Sequence, residues 1–243
     1  MDNKMSITFS QLGLMGRLGN QMFQIASTIG TALKNNDTYM FPHWKHEPFF
    51  NLHGCFSNQL RFTSTYQEPY FHYAPIIYRT SLNLSGYFQS PKYWSGYENI
   101  IKNLLTPIQQ IDRESGLCSI HVRRQDYINK QNCHPLMTIN YYQQAMQMSG
   151  CTKFLILSDD ILWCKANFSG NNFAFSEGKS EVEDLALMIK KCEHNIICNS
   201  TFSWWGAYLN QSPGKKVIAP KIWFGKSINH NTIDLIPSEW IKI

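Results

Sequence analysis

Apolar and polar positions alternate in blocks through the second half of the chain. "GLCSIHV" runs into "RRQDY", "KFLIL" into "SDD", "NFAF" into "SEGKSE", and "NIIC" into "NSTFSWWGAYLN". "KVIAP" makes a fifth β-rich run. Between these runs "NYYQQAMQMS" and "ILWCKANF" carry helical spacing. A further helix starts at Ser180, where Glu183 three residues on completes a capping box, and its apolar stripe runs Val182, Leu185, Ala186, Ile189, Cys192. Strands alternating with helices predict a parallel sheet with crossover connections, whose ligand site lies beyond the carboxyl ends of the strands. The polar clusters meet there.

The first half opens in the same way. "MSITFSQLG" followed by "LMGRLGNQMFQIASTIGTALKNN" predicts strand, tight loop and helix, with Met22, Ile25, Ala26, Ile29 and Leu33 as the buried stripe. Residues 41 to 100 are rich in aromatics, histidines and prolines with weak periodicity, which predicts loops, short helices and a strand near Tyr39. Pro107 and Gly116 bracket a polar stretch, so the expected division is a Rossmann-like domain at 1–114 and a second at 115–243.

Composition narrows the function classes. Hydrophobic residues make up 43% of the 243 positions and no apolar run reaches bilayer length, so a soluble protein is expected. The start lacks a basic region followed by an apolar core, and the seven scattered cysteines form no C-x-x-C pair. Both features predict reduced core thiols and a cytoplasmic location. The net charge of +5 is spread along the chain, which favours anionic small molecules or a membrane surface over nucleic acid.

Candidate chemistry centres on Arg123 and Arg124. A guanidinium is a permanent charge with a planar fork of donors that matches phosphate oxygens. His121 and Arg123 share one strand face while Arg124 turns away, so one arginine faces the ligand and the other the scaffold. The alternative is a structural Arg124–Asp126 bridge with Arg123 solvated. Asn199, Ser200, Thr201 and Ser203 sit at a predicted helix N-terminus, a setting that favours anions, or else form an ordinary cap above buried Phe202, Trp205 and Leu209. In "LSDDILW", Asp159 and Asp160 suit a base N–H or ribose hydroxyls; Ser158 or Asp159 as a helix cap is the competing reading. The spacing is not D-x-D, so no divalent cation is implied. "GRLGNQ" places Gly16 and Gly19 between strand and helix but fails the G-x-G-x-x-G pattern.

Taken together, "GRLGNQMFQIAS", "HVRRQDY", "FLILSDDILWCKANF", "EDLALMIKKCEHNIICNSTFSWWGAYLN", "VIAPKIWFG" and "DLIPSEWIKI" resemble glycosyltransferase family 11, specifically bacterial α-1,2-fucosyltransferases. Family members usually carry glycine where Gln125 stands, and many are longer in the aromatic middle. The resemblance implies an α/β fold of GT-B type, two Rossmann-like domains facing an interdomain cleft, with GDP-β-L-fucose held by the C-terminal one. It implies inverting transfer of fucose to the 2-hydroxyl of a terminal galactose-type sugar. Arg123 would stabilise the departing phosphate without a metal; His121, Asp159 and Asp160 would touch guanine or ribose. Thr201 and Ser203 would line the pyrophosphate, with Asn199 and Ser200 also on the donor-binding side. Arg17, Asn20 and Gln21 would reach the cleft from the acceptor side. Asp126 is the candidate general base, with Glu177 in reserve.

GDP-fucose is then a co-substrate and no cofactor is expected. The acceptor is expected to be a galactose-terminated, lipid-linked glycan at the inner membrane face, with weak peripheral contact by the basic chain. A non-catalytic sugar-binding module would also explain the 14% aromatic content, and a Rossmann dehydrogenase would explain the alternation. The first does not need Arg123 beside a helix N-terminus; the second lacks its fingerprint glycines.

Overall fold

The computed structural model describes residues 5–243, and the chain divides into two compact units, 1–108 with 230–235 and 109–229 with 236–243. In the first unit β1 (Ser6–Thr8) leads to α1 (Leu18–Lys34), then β2 (Thr38–Met40), β3 (Ser64–Gln67), β4 (Leu82–Ser85) and α2 (Glu98–Leu105). The strands form a parallel sheet in the order β2-β1-β4-β3. The strand near Tyr39 is β2; β3 and β4 lie in the aromatic stretch where periodicity was weak.

α1 is not a one-stripe helix. Nearly every residue from Leu18 to Ala32 is buried, and Leu33, assigned to the stripe, is half-buried. Its hydroxyls are satisfied internally: Thr28 Oγ1 donates to the Gln24 carbonyl at 2.7 Å, Thr31 Oγ1 to the Ser27 carbonyl at 2.7 Å, and Ser27 Oγ to the Phe88 carbonyl at 3.2 Å, while Gln24 Oε1 is buried without a partner. Gly30 admits the turn Pro91–Trp94 so closely that a Cβ there would lie 2.6 Å from Trp94 Cα.

The second unit runs β5 (Leu117–Val122), α3 (Ile139–Ser149), β6 (Lys153–Ser158), α4 (Ile161–Asn167), β7 (Phe173–Phe175), α5 (Glu181–Ala186), β8 (His194–Ile196), α6 (Thr201–Leu209), β9 (Val217–Ala219) and β10 (Ile241–Lys242). Its sheet is parallel, ordered β10-β9-β8-β5-β6-β7. The five runs seen in the sequence are joined by a sixth strand, β10. Counted from β5, the order is that of a dinucleotide-binding sheet, and its crevice falls where the chain reverses direction, between β5 and β8. One sheet face packs Cys118, Ile120, Val122, Ile156 and Ile196 against Tyr142 and Phe168; the other packs Leu155 and Leu157 against Met188 and Cys192. A large apolar side chain buried this fully stabilises by about 1.5–3 kcal/mol.

The capping box is present with both bonds. Glu183 N–H donates to Ser180 Oγ at 3.3 Å, and Ser180 N–H donates to Glu183 Oε2 at 2.8 Å. After Ala186 the helix widens into one π turn, Leu187–Lys191, whose terminal carbonyls need outside donors. Arg113 supplies them, donating to the carbonyls of Cys192 at 2.9 Å and Ile189 at 3.2 Å. Glu114 N–H donates to the Lys191 carbonyl at 2.8 Å. Residues 109–114 therefore belong with the second unit, and the break falls at 108/109 instead of 114/115.

The 1–114 and 115–243 division also misses the return segment 230–235. There Asp234 Oδ2 accepts from the Tyr73 N–H at 2.9 Å and pairs with Lys92, while the His230 ring stacks on Phe71 at 4.9 Å. All seven cysteines are free: Cys118, Cys164, Cys192 and Cys198 are buried, but Cys55, Cys133 and Cys151 are half-buried and not core residues.

Candidate active site

β5 delivers two arginines to the sheet's crevice, and the structure gives them different tasks. Arg124 faces the scaffold. Its Nε donates to Asp160 Oδ2 at 3.1 Å, and its guanidinium lies 4.0 Å from the centre of the Trp163 ring. Asp160 is also the N-cap of α4, accepting from the Trp163 N–H at 3.2 Å. The cap is thus Asp160, neither Ser158 nor Asp159; Ser158 Oγ instead accepts the Asp160 N–H at 2.9 Å.

Arg123 is the arginine gripped by two carboxylates. Its Nη2 donates to Asp126 Oδ2 at 2.8 Å and its Nε lies 3.2 Å from Asp159 Oδ2. The second contact is an ion pair without hydrogen-bond alignment, since Asp159 Oδ2 is buried and accepts no hydrogen bond. Asp159 Oδ1 accepts the Arg124 backbone N–H at 2.9 Å, which locks that side chain to the end of β5. Burial opposes the charge on Arg123, but the Asp126 hydrogen bond and the Asp159 and Asp126 charges outweigh it and raise its pKa. The Arg124–Asp126 bridge with a solvated Arg123 is not what forms: Asp126 holds Arg123, whose side chain is 12% exposed.

β8 brings the second half of the site. Asn199 is buried and its Nδ2 donates to the carbonyls of Pro135 at 3.0 Å and Trp223 at 3.1 Å, so its amide ties two loops to the strand end. Ser200 is the N-cap residue of α6 in extended conformation, with no side-chain cap bond. Ser203 is buried and its Oγ donates back to the Ser200 carbonyl at 3.2 Å. Thr201 opens the helix, half-buried. Below it Trp204, Trp205 and Leu209 are fully buried, and Trp204 stacks on Tyr208 at 4.6 Å. Phe202, grouped with the core by its spacing, is half-buried.

His121 joins the two strands. It is 5% exposed, with Nδ1 3.2 Å from Cys198 Sγ and its ring 5.1 Å from Phe202. Burial pushes the Cys198 thiol up to about 12, opposed by its hydrogen bond with Ser203 and by the Arg123 charge. Sequence reasoning passed over two neighbours. Tyr127 OH donates to the Asn199 carbonyl at 3.1 Å, and its ring stacks on His134 at 4.8 Å. Burial lowers the His134 pKa while the charge of Asp126 opposes it. Tyr127 directly follows the RRQD run; His134 carried no signal. Glu177 lies past the edge strand β7, exposed and paired with Lys165 at 2.8 Å.

In the first unit the named residues gather at the carboxyl ends of the central strands β1 and β4. Arg17 is the exposed residue preceding α1. Asn20 Oδ1 accepts from Gln89 Nε2 at 3.1 Å, and Gly16, at φ +70°, leaves room for the Asn20 side chain. Gln21 is buried and spends its amide internally: Nε2 donates to the Gly16 carbonyl at 2.9 Å and Oε1 accepts from Trp44 Nε1 at 2.7 Å. Among the described residues no group of three or more His, Cys, Asp or Glu is placed to hold a metal ion, and no helix is long and apolar enough to cross a membrane.

A family model described as "Glycosyl transferase family 11" matches residues 32–243. The chain belongs to glycosyl transferase family 11. This membership replaces the sugar-binding-module and dehydrogenase readings, and relates the chain to fucosyltransferases. The matched span contains the whole crevice of the second sheet but not "GRLGNQ". The relative "Alpha-1,2-colitosyltransferase" of Escherichia coli is 27% identical over 98% of this chain and 99% of its own length. "Galactoside alpha-(1,2)-fucosyltransferase 2" of Oryctolagus cuniculus is 25% identical over 82% of this chain and 66% of its own. Among solved structures, POFUT1 in complex with GDP superposes with a TM-score of 0.55 at 14% identity, covering 90% of this chain and 99% of that one. That likeness is one of fold: a two-lobed α/β arrangement with parallel sheets, GT-B-like.

Proposed function

We propose that this family 11 glycosyltransferase moves L-fucose from GDP-β-L-fucose to the 2-hydroxyl of a terminal galactose-type residue, with inversion. The observation that carries the reading is Arg123 at the end of β5 beside the N-terminus of α6 beyond β8, at the crevice where this sheet order places a nucleotide. The acceptor oxygen attacks the anomeric carbon from the face opposite the phosphate, the bond to the β-phosphate oxygen breaks, GDP leaves, and the acceptor hydroxyl's proton passes to water. Charge grows on that phosphate. Arg123 and the positive end of the α6 dipole meet it, and Asp159 lies next to Arg123 for the ribose or base. His121, Asn199 and Ser203 act from beneath, holding β5, β8 and α6 in place.

An oxocarbenium-like transition state asks more of the leaving group than of a base, and in the free protein Asp126 is paired with the Arg123 guanidinium. Arg17 and Asn20 remain the acceptor-side candidates, with Gln21 as support. The deciding experiment incubates the protein with GDP-fucose and a panel of soluble and lipid-linked β-galactosides, then determines the linkage of the product. No transfer to any galactoside, or a linkage other than α-1,2, overturns the proposal. A second donor is favoured by one observation: the relative matching end to end is named for colitose. Nucleotide-activated colitose therefore belongs beside GDP-fucose in the same assay.

A further inference from the structure

One guanidinium charge faces two carboxylates in the crevice of the second sheet, so the trio Arg123, Asp126 and Asp159 carries a net charge of −1 when all three are ionised. A diphosphate brought to such a cluster meets repulsion unless one carboxylate withdraws. The two are not equally able to do so. Asp159 is held by the Arg124 backbone N–H, its side chain is 16% exposed and its Oδ2 is buried. Asp126 is 48% exposed and reaches Arg123 from three residues on, across a turn closed by the Tyr127 and Ile128 N–H groups donating to the Arg124 carbonyl. A change of side-chain rotamer carries the Asp126 carboxylate into water and breaks none of those backbone bonds. Arg123 stays put meanwhile, because Asp159 still flanks Nε and the Tyr127 ring lies 5.8 Å from the guanidinium. The nitrogen released is Nη2.

We infer that Asp126 is an exchangeable partner of Arg123, one that yields Nη2 to the diphosphate of the nucleotide sugar and reclaims it as the nucleoside diphosphate leaves. The inference rests on the nucleotide-sugar reading above and gives Asp126 a role other than that of a base. It makes the carboxylate a rival of the donor, so removing its charge strengthens nucleotide binding. A residue that merely supports the site would weaken binding when altered.

The test is calorimetric titration of the intact chain with GDP, for the parent and Asp126→Asn, with Asp126→Ser as a second variant should the first misfold. Binding about tenfold tighter in the folded variant is expected, the size of one like-charge contact removed at a partly exposed site. Inhibition of turnover by product GDP should deepen in parallel. Unchanged or weaker GDP binding by a folded variant overturns the inference. Failure of the parent to bind GDP at all is a separate result, visible before any variant is made, and it overturns the donor reading itself.

Discussion

At the scale of single residues, the two adjacent arginines differ in what each has already spent. Arg124 is committed to Asp160 and to the Trp163 face, whereas Arg123 sits between carboxylates at the crevice. Arg123→Ala should lower turnover about 100- to 1000-fold, the usual loss when a preorganised partner of a developing charge is removed. Arg124→Lys should leave turnover close to the parent's while costing about 1 kcal/mol of stability, because lysine keeps the charge but loses the planar stack and the fork. Steady-state rates and thermal melts of the two variants check this; near-normal turnover in a folded Arg123→Ala protein contradicts it. If Arg123 is the cation facing the leaving phosphate, activity should survive excess EDTA, and a loss of turnover restored by magnesium or manganese would show that a metal shares the task. That the two arginines turn to different partners was legible from strand alternation. Their partners were not: spacing put Asp126 within reach of either one, and which aspartate capped α4 depended on where the helix began.

Elements were legible where local chemistry is strong and illegible where tertiary packing decides. Ser180 and Glu183 announce α5 because a capping box is satisfied within four residues. Nothing local announces the π turn after it, which depends on Arg113 reaching carbonyls far along the chain. β4, the short run "LNLS", is central in its sheet yet too brief for periodicity to show. Its exit holds two positive-φ residues, Gly86 at φ +147° and Phe88 at φ +51°, beside Glu68, whose oxygens accept the Tyr87 and Phe88 N–H groups at 2.7 and 2.9 Å. Burial pushes the Glu68 pKa from 4.5 up to about 7, opposed by those two hydrogen bonds.

The folded state thus binds this proton more tightly than the unfolded state, so the contribution is full below pH 4.5 and is lost as pH rises towards 7, a change of up to about 3 kcal/mol. In Glu68→Gln this slope should be missing from the variant's stability curve, and so should appear in the difference between parent and variant. An identical pH dependence in both proteins would show that Glu68 does not titrate there. The same variant should also lose about 1 kcal/mol at low pH, since one amide oxygen cannot satisfy two backbone donors as well as a carboxyl group does.

For the whole molecule, alternation of strand and helix foretold two parallel sheets, and the polar ends of β5 and β8 lie side by side where the proposed site is drawn. What it could not foretell is connectivity that ignores sequence distance. Residues 230–235 leave the second unit to join the first through Asp234 and His230, and residues 236–243 then return to supply β10. A chain stopped after Asn229 should therefore lose stability in both units at once. Limited proteolysis should find new cleavage near Tyr73 and near β9 together; cleavage confined to one unit would show that the strap is dispensable. This routing also bears on how the protein is made. On a ribosome, the segments that finish each unit emerge after everything they finish, so neither unit can close in its native form until residues 230–243 are out, and Tyr73, Lys92 and the edge of β9 wait for those partners until then.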